Sequence, residues 1–159
     1  MVSGGRGERP DVLTSGLARE LLGARLMANL ATHARDGGIH LVPMWFVWDG
    51  EAILIPTNHA TQKVRNLERD PRASVMVDDS RDAFDLRGIT LIGEVSLVRA
   101  PESFRLNRTI HLKYLTTAER DSEPVDAYLS TDDVTIRLTP TRAYSWDLRH
   151  TTPEASPPP

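Results

Sequence analysis

The chain has 159 residues, a formal net charge of −3 and no cysteine. This length suits one domain with its own core, and the absence of cysteine excludes disulfides, thiolate metal sites and a cysteine nucleophile. The slightly negative charge argues against a dedicated nucleic-acid-binding face, and no apolar run approaches the roughly 20 residues that span a bilayer. We therefore expect one cytoplasmic domain that neither binds nucleic acid nor enters a membrane.

Both ends of the chain predict segments outside that domain. Residues 1–11 lack the apolar stretch of a secretory signal and are predicted to be a disordered leader. Residues 149–159 are predicted to be a disordered, proline-rich tail with nothing to bury. The predicted domain therefore covers residues 12–148.

The first half of this domain predicts a helix followed by three antiparallel strands. Leucines at helical spacing in residues 12–23 indicate a short amphipathic helix. Two hairpin signals follow, Asp36-Gly37 and Asp49-Gly50, and alternating or apolar runs flank them. We expect a three-stranded meander built from residues 24–34, 39–49 and 51–57.

The next segment predicts a helix that leads directly into a strand. Residues 57–77 read TNHATQKVRNLERDPRASVMV, in which a polar turn feeds a helix that begins at Ala60 or Thr61. Pro71 ends this helix, because the residue before a proline disfavours the helical conformation. A fourth strand follows at residues 72–78.

The last part of the domain predicts a strand, a helix and a closing strand. Residues 88–100 form the fifth strand, in which Gly93 indicates a bulge or a barrel corner. Residues 101–120 predict a helix, and residues 133–148 predict a sixth strand. The helix is expected to bury Leu106, Ile110 and Leu112, and the sixth strand is expected to turn Val134, Ile136 and Leu138 inward. Six mostly antiparallel strands with short flanking helices predict a small α+β barrel.

One predicted strand is unusually apolar. Residues 41–48, LVPMWFVW, contain no charged side chain, so both faces of this strand are predicted to be dry. Pro43 cannot donate a ladder hydrogen bond, which places the strand at an edge or a bulge of the sheet. Its outer face then needs a cover from outside the monomer's own core, and a second subunit or a flat ligand would serve.

The helix that follows Thr57-Asn58 is a candidate anion site. Helix N-termini carry unpaired N–H groups and a partial positive charge. Lys63 and Asn66 are three residues apart on one face, and Thr61 is placed either to cap the helix or to donate its hydroxyl to a phosphate. The alternative is an ordinary amphipathic helix with a solvated basic face, and the local sequence leaves both interpretations open.

Such an anion site cannot supply useful affinity alone. Micromolar binding needs about 8 kcal/mol, of which a bond to Lys63 supplies about 1.5–3 and a helix terminus about 0.3–1 kcal/mol. A tricyclic ring that loses roughly 200 Å² to a dry cleft would add about 5 kcal/mol. Residues 43–46, PMWF, are the candidate wall for such a ring, and the alternative is that Trp45 and Trp48 are simply core.

Sequence signatures of other enzyme classes are missing. The five histidines show no metal-ligand spacing, so no metal site is predicted. The sequence has no G-x-S-x-G elbow, P-loop or G-x-G-x-x-G run. The acidic residues 78–85 are interpreted as a solvated loop.

Three stretches together resemble one known family. Residues 27–57, MANLATHARDGGIHLVPMWFVWDGEAILIPT, are followed by TQKVRNLERDPRASVMV and by the glycine-centred strand GITLIGEV. The pattern Lys-x-x-Asn-Leu-x-x-Asp-Pro-Arg, from Lys63 to Arg72, is the most specific piece. Over residues 12–148 the chain resembles the pyridoxamine 5'-phosphate oxidase-like FMN-binding split-barrel family, and within it the flavin- or deazaflavin (F420)-dependent oxidoreductase branch.

The resemblance implies a fold, a cofactor and a partner. It implies a six-stranded split barrel that forms a homodimer, with FMN or F420 at the subunit interface. The cofactor's phosphate would meet Thr61, Lys63 and Asn66, and the partner subunit would contribute the segment around Arg87-Gly88 or Trp146. The ring would rest on the second and third strands, at Pro43, Met44, Trp45, Phe46, Ile55, Pro56, Thr57 and Asn58.

The resemblance also implies an activity. A hydride would pass between the cofactor and a small organic electrophile, without a side-chain nucleophile; solvent, Tyr114, Tyr144 and His111 are candidate proton donors. The alternatives are a non-catalytic protein that binds or stores flavin, haem or a tetrapyrrole, and an empty fold. The chain lacks the basic C-terminal motif of members that act on vitamin B6, so a true pyridoxamine 5'-phosphate oxidase is not expected. Thr61 stands where some relatives carry a basic residue, which leaves FMN and F420 undecided.

Overall fold

The computed structural model describes residues 12–82, 84–120, 125 and 129–149. The predicted leader and the tail beyond Arg149 lie outside these residues. The helices that lie fully within these residues are α1 (Gly16–Gly23), α2 (Gln62–Arg69), α3 (Glu102–Tyr114) and α4 (Thr117–Arg120). The strands are β1 (Ala28–His33), β2 (Ile39–Met44), β3 (Val47–Trp48), β4 (Ile53–Thr57), β5 (Arg72–Asp78), β6 (Arg87–Arg99) and β7 (Val134–Asp147).

These strands form one antiparallel sheet in the order β2-β1-β5-β6-β7-β4-β3. The predicted fold class, an α+β fold with a mostly antiparallel sheet and short flanking helices, is therefore confirmed. The described part of the chain forms seven strands where six were predicted, because the expected second strand is divided in two. Among the described helices, none is long and apolar enough to cross a membrane.

The division occurs at Trp45 and Phe46, and it closes the barrel. β2 pairs with β1 at one edge of the sheet, whereas β3 pairs with β4 at the opposite edge, so the predicted three-stranded meander is wrong. Three residues of chain, from Met44 to Val47, reach at most about 11 Å. The edges of a flat seven-stranded sheet would lie about 29 Å apart. The sheet must therefore curl until its two edges almost meet, which gives a barrel with a seam at this crossing.

Three glycines occupy positions that their conformation or their surroundings require. Gly37 and Gly50 have φ of 88° and 100° in the two predicted hairpin turns. At Gly93 the pairing of β6 with β7 shifts register, and a Cβ there would lie 2.0 Å from the Thr139 carbonyl oxygen. The predicted bulge at Gly93 is therefore confirmed, and only glycine fits it.

The core lies on the inner face of the sheet and is closed by α1. Every second residue of the long strands points inward, as the period of a strand requires. Val134, Ile136 and Leu138 are buried as predicted. The core also contains Leu21, Leu22, Leu30, Phe46, Ile53, Ile55, Leu67, Val75, Val77, Ile89 and Leu91.

The first two helices begin and end close to their predicted positions. α1 starts one turn later than expected, after Ser15, whose Oγ accepts a hydrogen bond from the Ala18 N–H at 3.0 Å. α2 follows Thr61 and ends before Asp70 and Pro71, as predicted. Val64 and Leu67 bury its apolar face against the sheet.

Helix α3 packs on the sheet through polar residues, contrary to the predicted apolar stripe. Of Leu106, Ile110 and Leu112, only Ile110 is fully buried. The other buried side chains of α3 are Ser103, Asn107 and His111. The helix ends at Tyr114, and a short turn separates it from α4, so the predicted single helix over 101–120 is two helices. The polar face of α3 is the feature that shapes the candidate site.

Candidate functional site

A cavity of about 350 Å³ opens where the end of β2 faces β4 and the start of α2. This volume falls in the lower part of the roughly 300–1,000 Å³ range of small-molecule sites. Eight of the eleven sequence-predicted residues line it: Pro43, Met44, Trp45, Pro56, Thr57, Asn58, Thr61 and Lys63. The sequence prediction missed the three other lining residues, Met27, His111 and Asp132, as parts of one site.

The remaining three predicted residues do not line the cavity. Phe46 and Ile55 are fully buried in the core. Asn66 is also fully buried; its Nδ2 donates to Thr32 Oγ1 at 3.0 Å, and its Oδ1 accepts from Gln62 at 2.8 Å. Asn66 therefore anchors α2 on β1 and does not share the cavity-lining position of Lys63.

The turn between β4 and α2 places several polar groups at the cavity. Thr61 Oγ1 donates to the Asn58 carbonyl at 2.9 Å and lies 3.2 Å from Thr57 Oγ1. The Asn58 side chain is held by the Ala60 N–H at 2.9 Å and by its own donation to the Thr131 carbonyl at 2.6 Å. Thr61 makes no side-chain cap on α2, so the backbone N–H groups of the first turn have no side-chain acceptor there.

Lys63 brings a partly buried cation into the cavity. Within the described residues its ammonium has no hydrogen bond and no ion pair. Burial lowers the pKa of Lys63, and the nearby Asp132 carboxylate opposes that shift. An unpaired ammonium that is partly withdrawn from water is a position at which an incoming anion would be stabilised.

Trp45 supplies a flat wall that α3 holds in place. Its ring stacks on Tyr114, with centroids 5.1 Å apart and planes 3° apart, and meets His111 edge-on at 5.6 Å. Tyr114 Oη accepts from the Phe46 N–H at 3.2 Å and donates to the Leu26 carbonyl at 2.6 Å. These contacts fasten the crossing between β2 and β3 to α3 and hold the Trp45 ring in place.

Trp48 differs from Trp45, although the two lie only three residues apart. Trp48 belongs to β3 and packs against the hydrophobic core. Of the two interpretations of this aromatic segment, the cavity wall applies to Trp45 and the core to Trp48.

His111 and Asp132 form a titratable pair at the cavity. His111 is 1% exposed, its Nε2 lies 3.0 Å from Asp132 Oδ2, and neither ring nitrogen is in hydrogen-bonding geometry with a partner. Burial lowers the pKa of His111 and raises the pKa of Asp132, which Lys63 opposes. These shifts favour a neutral His111 imidazole. They also mean that the Asp132 carboxyl group holds its proton more tightly than an aspartate in water does.

The outer face of the β2 edge is apolar and exposed. Ile39 and Leu41 are each 62% exposed, and the exposed Pro43 continues this apolar row along β2. Met27, just before β1, is also exposed. Met27 and Pro43 also line the cavity, so the apolar face extends to the mouth of the cavity. A row of exposed apolar side chains of this kind is typical of an interface.

The sequence-predicted partner segment is engaged within its own chain. Arg87 is 7% exposed and forms ion pairs with Glu20 and Asp79. Gly88 lies directly under the Trp146 ring, where a Cβ would come within 2.2 Å of the indole. The Arg87 side chain therefore holds α1 to the sheet.

The donor set fits a planar group with an anionic tail. Trp45 offers a flat apolar surface, while Lys63, Thr57 and Thr61 offer a cation and two hydroxyl groups at the other side of one cavity. Among the described residues, no group of three His, Asp or Glu side chains could hold a metal ion. Because no described residue pairs with the Lys63 ammonium, the cavity favours a ligand with a negative charge.

Comparisons with known proteins identify similar sequences and folds. Residues 16–147 match the family described as pyridoxamine 5'-phosphate oxidase. Conserved hypothetical protein Rv2991 from Mycobacterium tuberculosis has a similar structure, with a TM-score of 0.73 and 29% identity over 96% of this chain and 98% of that one. A protein described as F420 reductase has a TM-score of 0.63 and 27% identity over 81% and 96% of the two chains.

More distant structures share the fold. HutZ, the heme storage protein from Vibrio cholerae, has a TM-score of 0.61 and 23% identity over 83% of this chain and 95% of that one. No curated protein sequence matches the chain. Because the family match covers most of the chain, including β1 to β7, the chain belongs to the pyridoxamine 5'-phosphate oxidase family.

Proposed function

We propose that this protein is an oxidoreductase that uses FMN or F420 to exchange a hydride with a small organic electrophile. The observation that carries the proposal is the partly buried Lys63 ammonium, which no described residue pairs with, in the same cavity as the flat Trp45 wall. Similarity to a protein described as F420 reductase supports a deazaflavin as strongly as FMN. We further propose that the protein works in the cytoplasm.

Three groups of residues divide the work. Lys63, Thr57 and Thr61 hold the phosphate, and the Trp45 wall orients the ring. The apolar residues Met44 and Pro56 exclude water from the reacting faces. When bound, the reduced ring supplies the hydride, so the protein's contribution is orientation and a dry environment.

We also propose that the cofactor is held between two subunits. The cavity is small for a complete phosphate-tailed tricycle, and the apolar outer face of the β2 edge begins at its mouth with Met27 and Pro43. A second copy on this face would cover Ile39 and Leu41 and complete the cavity. Light scattering on gel-filtered protein, with and without cofactor, checks the assembly.

Titration of the purified protein with FMN and with F420, followed by fluorescence, tests the proposed cofactor. Lys63→Ala should weaken binding of the preferred cofactor by about 10- to 100-fold, because a charge-assisted bond to phosphate is lost. The same variant should keep the thermal midpoint of the wild type. Arg65→Ala on the exposed face of α2 is the matched control and should bind normally. Unchanged affinity in Lys63→Ala would refute the phosphate assignment.

Turnover is tested by mixing the reduced cofactor–protein complex anaerobically with a panel of enones and quinones. Oxidation of the cofactor by one member supports the oxidoreductase. Tight cofactor binding without oxidation by any of them would instead support a binding or storage role.

A further inference from the structure

Asp132 introduces a negative charge into the cavity that would receive the phosphate. It lines the cavity together with Lys63, and its carboxylate is the one whose field reaches the Lys63 ammonium. The two groups are not in ion-pair contact, since Asp132 Oδ2 lies against His111 Nε2 at 3.0 Å instead. A phosphate bound by Lys63 would therefore also feel the carboxylate.

The position of Asp132 is fixed by α3. Asn107 Nδ2 donates to the Asp132 carbonyl at 2.8 Å and to the Val134 carbonyl at 3.0 Å. Ser103 Oγ donates to the Asp133 carbonyl at 2.7 Å, and Thr135 Oγ1 donates to Asn107 Oδ1 at 2.7 Å. Ser103, Asn107 and Thr135 are all buried, so the backbone at Asp132 has little freedom to carry the carboxylate away from the cavity.

The remaining titratable groups around Asp132 do not cancel its charge. His111 from α3 is buried, and neither ring nitrogen is in hydrogen-bonding geometry with a described residue, although Nε2 lies near Asp132. Burial lowers the pKa of His111, which favours the neutral ring. Asp133, the next residue, is paired with His59, whose Nδ1 lies 2.6 Å from its carboxylate. Among the described residues that line the cavity, Lys63 is then the one cation, and ionised Asp132 balances its charge.

We propose that Asp132 selects the cofactor by charge: it makes the cavity prefer a singly charged phosphodiester to a doubly charged phosphomonoester. With one cation and one carboxylate in the cavity, a diester leaves one net negative charge and a monoester leaves two. The preferred cofactor then carries its tail through a phosphodiester. This inference rests on the proposed function, because it takes the cofactor phosphate to lie at Lys63.

A pH dependence follows from the same arrangement. A phosphomonoester loses its second proton near pH 6, so below that pH it carries one charge, as a diester does. Burial already raises the pKa of Asp132, and a neighbouring phosphate would raise it further, so acidification also removes the opposing carboxylate charge. The discrimination between the two phosphates should therefore be largest at about pH 8 and should shrink toward about pH 5.5.

The test compares two ligands that differ by one charge. On the ring that binds in the cofactor titration, flavin or 5-deazaflavin, affinities are measured for the 5'-phosphate and for its methyl ester. At about pH 8 the wild type should bind the ester about tenfold more tightly than the phosphate. Asp132→Asn should bind the phosphate about tenfold more tightly than the wild type does, while its affinity for the ester changes by less than about threefold.

Two controls separate charge selection from other effects. The phosphate-free ring with its ribityl chain should bind Asp132→Asn and wild type equally. Glu94→Gln removes an exposed carboxylate on β6, and the ratio of the two affinities should stay at the wild-type value. A shift of the ratio in Asp132→Asn alone supports the proposal.

The possible failures are distinguishable. If the wild type prefers the phosphate to its ester, or if Asp132→Asn leaves the ratio unchanged while both ligands bind, charge selection is refuted and the proposed function stands. If the phosphate, its ester and the phosphate-free ring all bind equally, the phosphate does not lie at Lys63, which also refutes the inference. If neither ring system binds, the proposed function and the inference both fail.

Discussion

Arg87 and Lys63 are both withdrawn from water, and they differ in how their charge is compensated. Arg87 is surrounded by carboxylates: it pairs with Glu20 and Asp79, and its Nε lies 3.8 Å from Asp85. Lys63 has no such contact within the described residues. The first arrangement ties α1 to the start of β6, whereas the second leaves attraction available to a ligand. Local compensation thus separates a structural cation from a candidate binding cation.

The largest expected effect comes from breaking the compensated cluster. Arg87→Met should lower the thermal midpoint by about 10 °C, because Asp79 and Glu20 would lose the cation between them. Cofactor affinity per folded molecule should be unchanged. Arg72→Met, which removes an exposed ion pair with Asp70, is the control and should shift the midpoint by less than about 2 °C. An equally small shift in Arg87→Met would show that the cluster is not structural.

An intermediate effect is expected at the residue that links α3 to the cavity. Asn107→Ala removes the side-chain donor to the Asp132 and Val134 carbonyls and leaves the Thr135 hydroxyl only its longer bond to the Ser103 carbonyl at 3.4 Å. The thermal midpoint should fall by about 5 °C. Because Asp132 is then released, the preference for a phosphodiester should also weaken. Thr109→Ala, at an exposed position on the same helix, should leave the preference unchanged. A variant of Asn107 that loses stability but keeps the full preference would contradict the positioning role.

The smallest effect, and the sharpest contrast, lies in how two carboxylates respond to pH. Burial alone would raise the pKa of Asp79, but hydrogen bonds from Arg81 and Arg87 outweigh it and lower the pKa below its ordinary value. Ionised Asp79 therefore stabilises the fold above its unfolded pKa, and this contribution is lost as pH falls through the folded pKa. The pKa of Asp132 is raised, so its ionisation costs stability as pH rises from the unfolded pKa through the folded one.

The expected results of substituting these two residues are opposite in sign. In chemical denaturation at about pH 7, Asp79→Asn should be less stable than the wild type and Asp132→Asn more stable. Both differences should shrink as the pH approaches about 3. If the free energy of unfolding changed with the same sign in both variants, the opposite electrostatic surroundings described for Asp79 and Asp132 would be refuted.

The sequence was sufficient for the elements whose signals are local. The Asp-Gly turns, the bulge at Gly93 and the end of α2 before Pro71 all depend on residues within a few positions of one another. The edge position of β2 also follows locally, because Pro43 lacks a donor. These features fix the antiparallel fold class.

What the sequence did not reveal depends on distant parts of the chain. The break at Trp45 and Phe46 is caused by Tyr114 and Lys113, which take the Phe46 backbone groups and lie nearly seventy residues later. Asp132 reaches the cavity because Thr57 pairs with Val134, a register that no local pattern specifies. The buried polar face of α3 was missed for the same reason. The spacing of apolar residues predicts the buried face of a helix only where that face is itself apolar.

The crossing between β2 and β3 also bears on how this protein could diverge. Trp45 walls the cavity, and its neighbour Phe46 closes the barrel seam, so substitutions there would alter ligand preference and folding together. Asn58 and Thr61 lie on the opposite wall, in a turn outside the core. Specificity for new ligands should therefore evolve, or be engineered, most readily by substitutions in the turn that precedes α2, with Trp45 and Phe46 unchanged.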